Sequence, residues 1–237
     1  MVIQWVALAL CAVGAVIRIP GALKGHGRSV FTALVLLTMA VGLSIEPIYE
    51  AVDAFLGGMN ATNLMLRLAL YAVFMLLGMR VAAALGSSLA RRLVAGSVGL
   101  VILGVTVAAA LYLFLTSDLP FSSVGLRDFG DQDTVQHYAA VGRLYPGYVA
   151  ACLVIPAIGS VFDLRFRSLH RLACAFLAAG FSLVVVFVVL RLVQSDIQQW
   201  DVILPFSAIL LTVLGLCLIW LSHALSRRGG APSNRLA

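Results

Sequence analysis

Seven long apolar stretches, strung along almost the whole chain, restrict its fold more than any other feature. They occupy residues 2–17, 30–45, 63–84, 93–115, 145–162, 172–192 and 202–221. A helix rises about 1.5 Å per residue, so roughly 20 residues cross a hydrocarbon core of about 30 Å. Backbone amides inside lipid must be satisfied within their own helix or around a closed barrel. Barrel strands alternate apolar and polar residues. These stretches do not alternate, which leaves helices. Composition agrees: 62% of the 237 residues are hydrophobic and only 11% are charged, with mean hydropathy +1.06. A water-soluble domain ordinarily carries about a quarter charged residues. The expectation is an all-α, polytopic transmembrane bundle of seven helices. It forms one domain over residues 1–226, with one long loop at 117–144 and a basic, unstructured tail at 227–237. Met1 to Val16 has no basic n-region and no small-x-small cleavage site, so it reads as the first helix rather than a removed leader.

Basic residues set the orientation. Twelve of the sixteen Lys and Arg residues fall on one side, among them Arg18, Lys24, Arg28, Arg91, Arg92, Arg165, Arg167 and Arg171. Nine of the ten acidic residues fall on the other, Asp163 being the exception. The positive-inside rule makes the basic side cytoplasmic, which puts the N-terminus outside and the C-terminus inside. A multi-pass protein of a bacterial plasma membrane follows. The net charge of +6 is spread over short loops, where it orients helices and attracts anionic headgroups. That distribution argues against nucleic acid as a partner. The expected partners are the bilayer and a protein on the cytoplasmic side. Cys11, Cys152, Cys174 and Cys217 all lie within apolar runs without Cys-x-x-Cys spacing, and read as small buried hydrophobes.

The densest polar cluster is Glu46-Pro47-Ile48-Tyr49-Glu50-Ala51-Val52-Asp53. If the second helix continues past Pro47, Glu46, Glu50 and Asp53 share one face at i, i+4 and i+7. Three carboxylates so placed attract a cation or hold a proton. Arg67 is the obvious counter-charge, across the Gly57-Gly58 turn. The plainer reading makes them water-facing interfacial charges paired with Arg67, and it is preferred because ionisable groups at span ends cost little. Arg80 precedes Val81-Ala82-Ala83-Ala84-Leu85, which sets it a turn or two inside the cytoplasmic leaflet. Snorkelling to the headgroups is preferred there over facing a polar cavity. Arg191 carries the same reading. Glu46, Glu50, Asp53, Arg67 and Arg80 are therefore the candidate ligand or ion site.

Weaker signals have structural explanations. Asp163 is matched by Arg167 at i+4. Pro156 and Pro205 predict kinks inside spans. Ala95-x-x-x-Gly99 and Gly104-x-x-x-Ala108 predict close packing within the bundle, with a dimer face as the second reading. Residues 134–144 predict a short helix capped by Asp133 and lying on the bilayer surface. Asn60-Ala61-Thr62 fits the glycosylation pattern but sits too near the membrane to use.

Several activities are excluded by missing residues. A retinal pigment needs a lysine in its last span, and the one lysine is Lys24. There is no His-Glu-x-x-His, no Gly-x-Ser-x-Gly and no Gly-x-x-x-x-Gly-Lys, the signatures of zinc proteases, serine hydrolases and phosphate-binding loops. His26, His170 and His223 map to cytoplasmic helix ends, which leaves a bis-histidine haem without ligands. His137 stands alone, so no metal site is expected. With no nucleophile–base pair, neither an enzyme nor a cofactor is expected.

The stretch from Arg28 to Arg92 resembles a family of uncharacterised actinobacterial seven-helix integral membrane proteins, some of them labelled as transporters. The resemblance rests on Glu46 to Asp53, then Gly58, Asn63-Leu64 and the apolar third span. The family shows Pro-x-Val-Tyr, an Asp a few residues on, and Asn-Leu opening the next helix. It spans about a quarter of the chain, and the remainder matches by topology alone. It implies a seven-helix fold and no particular substrate. Two functions are expected from different classes. One is a seven-helix sensor or membrane interaction protein whose outer face meets a cue. The other is a small transporter or permease component, which requires Glu46, Glu50, Arg67 and Arg80 to converge on one wet cavity.

Overall fold

The computed structural model describes residues 2–25, 27–164, 166, 168–193 and 200–228. All regular structure among them is helical: α1 (Val2–Leu23), α2 (Arg28–Leu43), α3 (Glu46–Phe55), α4 (Ala61–Ala84), α5 (Ser88–Ala95), α6 (Ser97–Thr116), α7 (Asp133–Phe162), α8 (Ser168–Leu192) and α9 (Trp200–Arg228), with a 3-10 turn at Val124–Phe129. Six helical segments among the described residues are long and apolar enough to cross a membrane, α5 and α6 together making one of them. A seventh is reached only if α2 and α3 are taken as one span. At 16 residues, α2 alone rises about 24 Å, short of a hydrocarbon core.

The second helix does not continue through Pro47. The chain turns by 95° between α2 and α3, because Pro47 sits in the first turn of a new helix whose N-cap, Ile45, is extended. Proline lacks an amide to donate and fits that first turn, where the amide has no helical partner. The fourth apolar stretch is also broken. Gly96, with ψ −178°, separates α5 from α6, and the Tyr148 hydroxyl donates to the Leu93 carbonyl at 2.8 Å, satisfying a group near the break. The surface helix expected at 134–144 is instead the first third of α7, which runs unbroken for 30 residues through Pro146. Asp133 is its first residue rather than its cap, and Gln132 occupies the cap without a side-chain bond. Tertiary burial decided the matter: Val135, Tyr138, Tyr145 and Pro146 on this segment are all buried.

Helix pairing follows a closed ring, α1 to α2 to α4 to α7 to α8 to α9 and back to α1, with α6 packed outside against α7. Glycines allow the closest approaches. A Cβ on Gly215 would lie 3.0 Å from the Ala173 carbonyl oxygen, and one on Gly180 would lie 3.1 Å from that of Ala208. These two positions draw α8 and α9 together as small residues do in lipid, where van der Waals contact replaces the hydrophobic effect. Gly99 packs onto the last carbonyls of α5, whereas Gly104 has open space around it. Gly104 and Ala108 are exposed, so this half of the small-residue pattern faces outward rather than into the bundle. The outer surface is largely apolar, with Ile155, Leu115 and Val101 at 79%, 78% and 63% exposure. Such a girdle suits lipid and not water. The chain is a multi-pass helical membrane protein. The four cysteines are unpaired.

Candidate functional site

The elements α3, the 117–132 segment and the starts of α4 and α7 gather at one end of the bundle, the capped end. The opposite end carries most of the arginines and is the basic end. Asp53 is the centre of the cap. It is fully buried and meets no cation among the described residues. Its carboxylate accepts from the Asn60 amide at 3.0 Å, the Thr62 amide at 3.1 Å and the Ser122 hydroxyl. The two amides belong to the first turn of α4, where helix amides lack partners and the dipole favours an anion. Burial acts to raise the Asp53 pKa, but the bonds from Ser122, Thr62 and Asn60 outweigh it and hold the carboxyl below its ordinary range.

Asn60 extends the network. Its backbone is left-handed at φ 57°, a conformation asparagine tolerates better than most residues. Its side-chain oxygen accepts from the Tyr49 hydroxyl at 2.9 Å and the Ser123 amide at 2.7 Å, and its amide donates to the Phe121 carbonyl at 2.6 Å. A glycan on this buried side chain would break all three. Burial, then the nearby Asp53 charge, pushes the Tyr49 phenol well above its ordinary range, so it remains a donor. The 3-10 turn is held by the Ser123 hydroxyl, which accepts from the Asp128 amide at 3.1 Å.

Arg67 carries the network into the bundle. Its Nε donates to Asn63 Oδ1 at 3.1 Å and its Nη1 to the Tyr138 carbonyl at 2.6 Å. The guanidinium carbon lies 3.7 Å from the Tyr138 ring centroid, a cation–π contact. The Tyr138 hydroxyl returns to Asn63 Oδ1 at 3.1 Å. Gly142 on α7 leaves the room: any Cβ there would overlap the guanidinium. Arg67 therefore bridges α4 and α7, and does not neutralise the acidic cluster as its position in the sequence suggested.

The five candidate residues do not form one site. Asp53 and Arg67 belong to adjoining parts of the cap network. Glu46 and Glu50 are exposed, so the shared carboxylate face is split between water and core. Arg80 is exposed at the far end of α4, where its Nε donates to Ser29 on α2. No group of three metal-binding side chains occurs among the described residues. Arg191, expected to snorkel, forms an ion pair with Asp201 across the α8–α9 connection. The Asp163–Arg167 pair and tail residues 229–237 lie outside the described residues.

Sequence reading did not place Asn60, Asn63, Ser122, Ser123 or Tyr138 in the candidate site. The signal available was a run of polar residues, Asn60 to Asn63, opening a helix seven positions after a lone acid. It also overlooked a cavity of about 180 Å³ inside the helix ring. Its wall is apolar, from Leu37, Phe74, Val149, Phe181 and Ile209 among others, except for Arg143 and Thr212. No family model, curated protein or solved structure matches the chain.

Proposed function

We propose that this chain is a seven-helix membrane sensor or interaction protein. Its N-terminus lies outside, its C-terminus in the cytoplasm of a bacterial cell, and the capped end receives the cue. The carrying observation is continuity: Asp53, Asn60, Asn63 and Arg67 join α3, the 117–132 segment, α4 and α7 through hydrogen bonds. A change in the cap thereby reaches the α4–α7 contact inside the bundle through bonded groups. The orientation rests on the basic residues of the opposite end, and kinship with the actinobacterial seven-helix family rests on the Glu46 to Asp53 motif. A transport path through Glu46, Glu50, Arg67 and Arg80 would need those side chains together, and they are dispersed.

The test is cross-linking in native membranes from photo-reactive residues placed at Lys24, Leu89 and Leu164 on the basic end. The expected result is one specific cytoplasmic neighbour whose yield changes when Arg67→Met breaks the bridge. An absence of any specific neighbour, or a yield indifferent to Arg67→Met in folded protein, overturns the reading.

A further inference from the structure

The ring of helices is not filled at its centre. The cavity of about 180 Å³ is lined from α2, α4, α7, α8 and α9, and its helix walls are consecutive members of the closed ring. A void of roughly 150 Å³ lined by apolar side chains binds benzene, so this one takes a stretch of aliphatic chain. Its polar exception is a cation. Arg143 lies in α7 one turn before Pro146, and both line the cavity. Leu70, Phe187 and Pro205 bring the wall to the same level from α4, α8 and α9, within two or three turns of those helices' capped ends.

Among the described residues, Arg143 is a half-buried arginine without a partner. Arg67 has Asn63 and the Tyr138 carbonyl, and Arg191 has Asp201. Arg143 has no hydrogen bond or ion pair among the described residues. A half-buried cation inside a membrane protein, with no counter-ion among the described residues, is costly. A cation beside an apolar void is the complement of a molecule with an anionic head and a hydrocarbon body.

We propose that the cavity binds a single-chain amphiphile with an anionic head, an acyl carboxylate of medium length, its carboxylate on Arg143 and its chain within the helix ring. The size selects one chain, since a two-chain phospholipid does not enter a void of this volume. This deepens the sensor reading by naming the cue, and it rests on that reading for the cue's consequence. Arg143 follows Gly142, against which Arg67 packs, so an occupied cavity meets the cap network at that point.

Purified full-length protein in nanodiscs is irradiated with a diazirine-bearing decanoate, and labelled peptides are mapped. Decanol with the same diazirine and a diazirine phosphatidylglycerol are the comparison probes. Labelling by the acid at cavity residues of α4, α8 or α9 is expected, about tenfold reduced by Arg143→Gln and largely kept by Arg143→Lys. Val184→Trp, which retains the cation and fills the wall, is expected to abolish it. Each variant is first checked for a monodisperse profile, and Val184→Trp decides the matter if Arg143→Gln fails to fold. Equal labelling by acid and alcohol, labelling confined to the lipid-facing surface, or labelling by the phospholipid but not the acid each overturns the proposal. Binding is read in purified protein without any cytoplasmic neighbour. Loss of the sensor reading with labelling intact would leave the site standing, and loss of labelling would leave the coupling through Arg67 standing.

Discussion

At the capped end, polar side chains bond to each other and to amides far away in the chain. Asp53 reaches Ser122 and Asn60 reaches Phe121 and Ser123, across more than sixty positions of sequence. At the basic end the bonds are of another kind. Arg28 donates to the Ala22 carbonyl at 3.3 Å and Arg171 to the Val161 carbonyl at 2.7 Å, each answering a helix C-terminus. Such carbonyls lack helical partners and favour a cation. Arg18 reaches the Leu216 carbonyl at 3.0 Å, within α9 rather than at its end. The first arrangement fixes elements in space, because each group has a buried partner that water cannot replace. The second anchors helix ends beside the headgroups, where water and phosphate can substitute. One end is built for position and the other for charge.

If that contrast is right, the largest effect comes from Asp53→Ala. It strips two buried amides and the half-buried Ser122 hydroxyl of their acceptor, which costs roughly 3 kcal/mol. A thermal unfolding scan in nanodiscs should show a marked fall in midpoint, with the 117–132 segment newly open to protease. An unchanged midpoint would mean that the cap is decoration. Arg67→Met should come next, at about 2 kcal/mol for two hydrogen bonds and a cation–π contact. Asn63 keeps the Tyr138 hydroxyl in that variant, which is why the loss is smaller than for Asp53.

Acid offers a way to loosen the cap without mutation. The folded Asp53 carboxyl titrates below its ordinary range. Its stabilising contribution is therefore complete above that range and is lost as pH falls through it towards the folded value. Cleavage within 117–132 by an acid protease should rise below about pH 4, measured against cleavage at the 24–25 turn of the basic end. Asp118, Asp128 and Asp131 are further carboxyls of the same segment, so Asp53→Asn is the control. A rise of the same size in that variant would assign the effect to the exposed acids.

The two ends also differed in how far they could be read from sequence. Six of the seven expected spans followed from hydropathy, since twenty apolar residues in lipid have few conformations open to them. The arginines of the basic end were legible for the same reason: charge sorting is a property of sequence order. Asp53 was found as an acid but grouped with Glu46 and Glu50, because helical spacing places the three on one face and says nothing of where the core boundary cuts it. Tyr49, on the same short helix, marks the buried side. Arg67 was matched to the wrong partners because attraction between opposite charges is visible in a sequence, while the room left by Gly142 and the face of Tyr138 are not. The continuity of α7 was hidden because residues 134–144 are too polar to read as part of the apolar span at 145–162, although the two form one helix. Arg143 was counted only as an outer charge, since a cavity is a property of helix packing.

Arg80 gives the smallest effect and the sharpest discrimination between the ends. It looked like the costliest charge in the sequence, sitting on an apolar helix with five apolar residues after it. In the structure it is exposed and donates to Ser29, half-buried at the start of α2. A long side chain that has already reached the polar layer leaves little to lose. Arg80→Ala should therefore shift stability by no more than about 0.5 kcal/mol, as should Glu46→Gln with Glu50→Gln. The measurement is the same unfolding scan used for Asp53→Ala and Arg67→Met. A loss for Arg80→Ala equal to that for Arg67→Met would mean that the basic end holds position after all, and that Arg80 belongs to a buried polar contact linking α2 to α4.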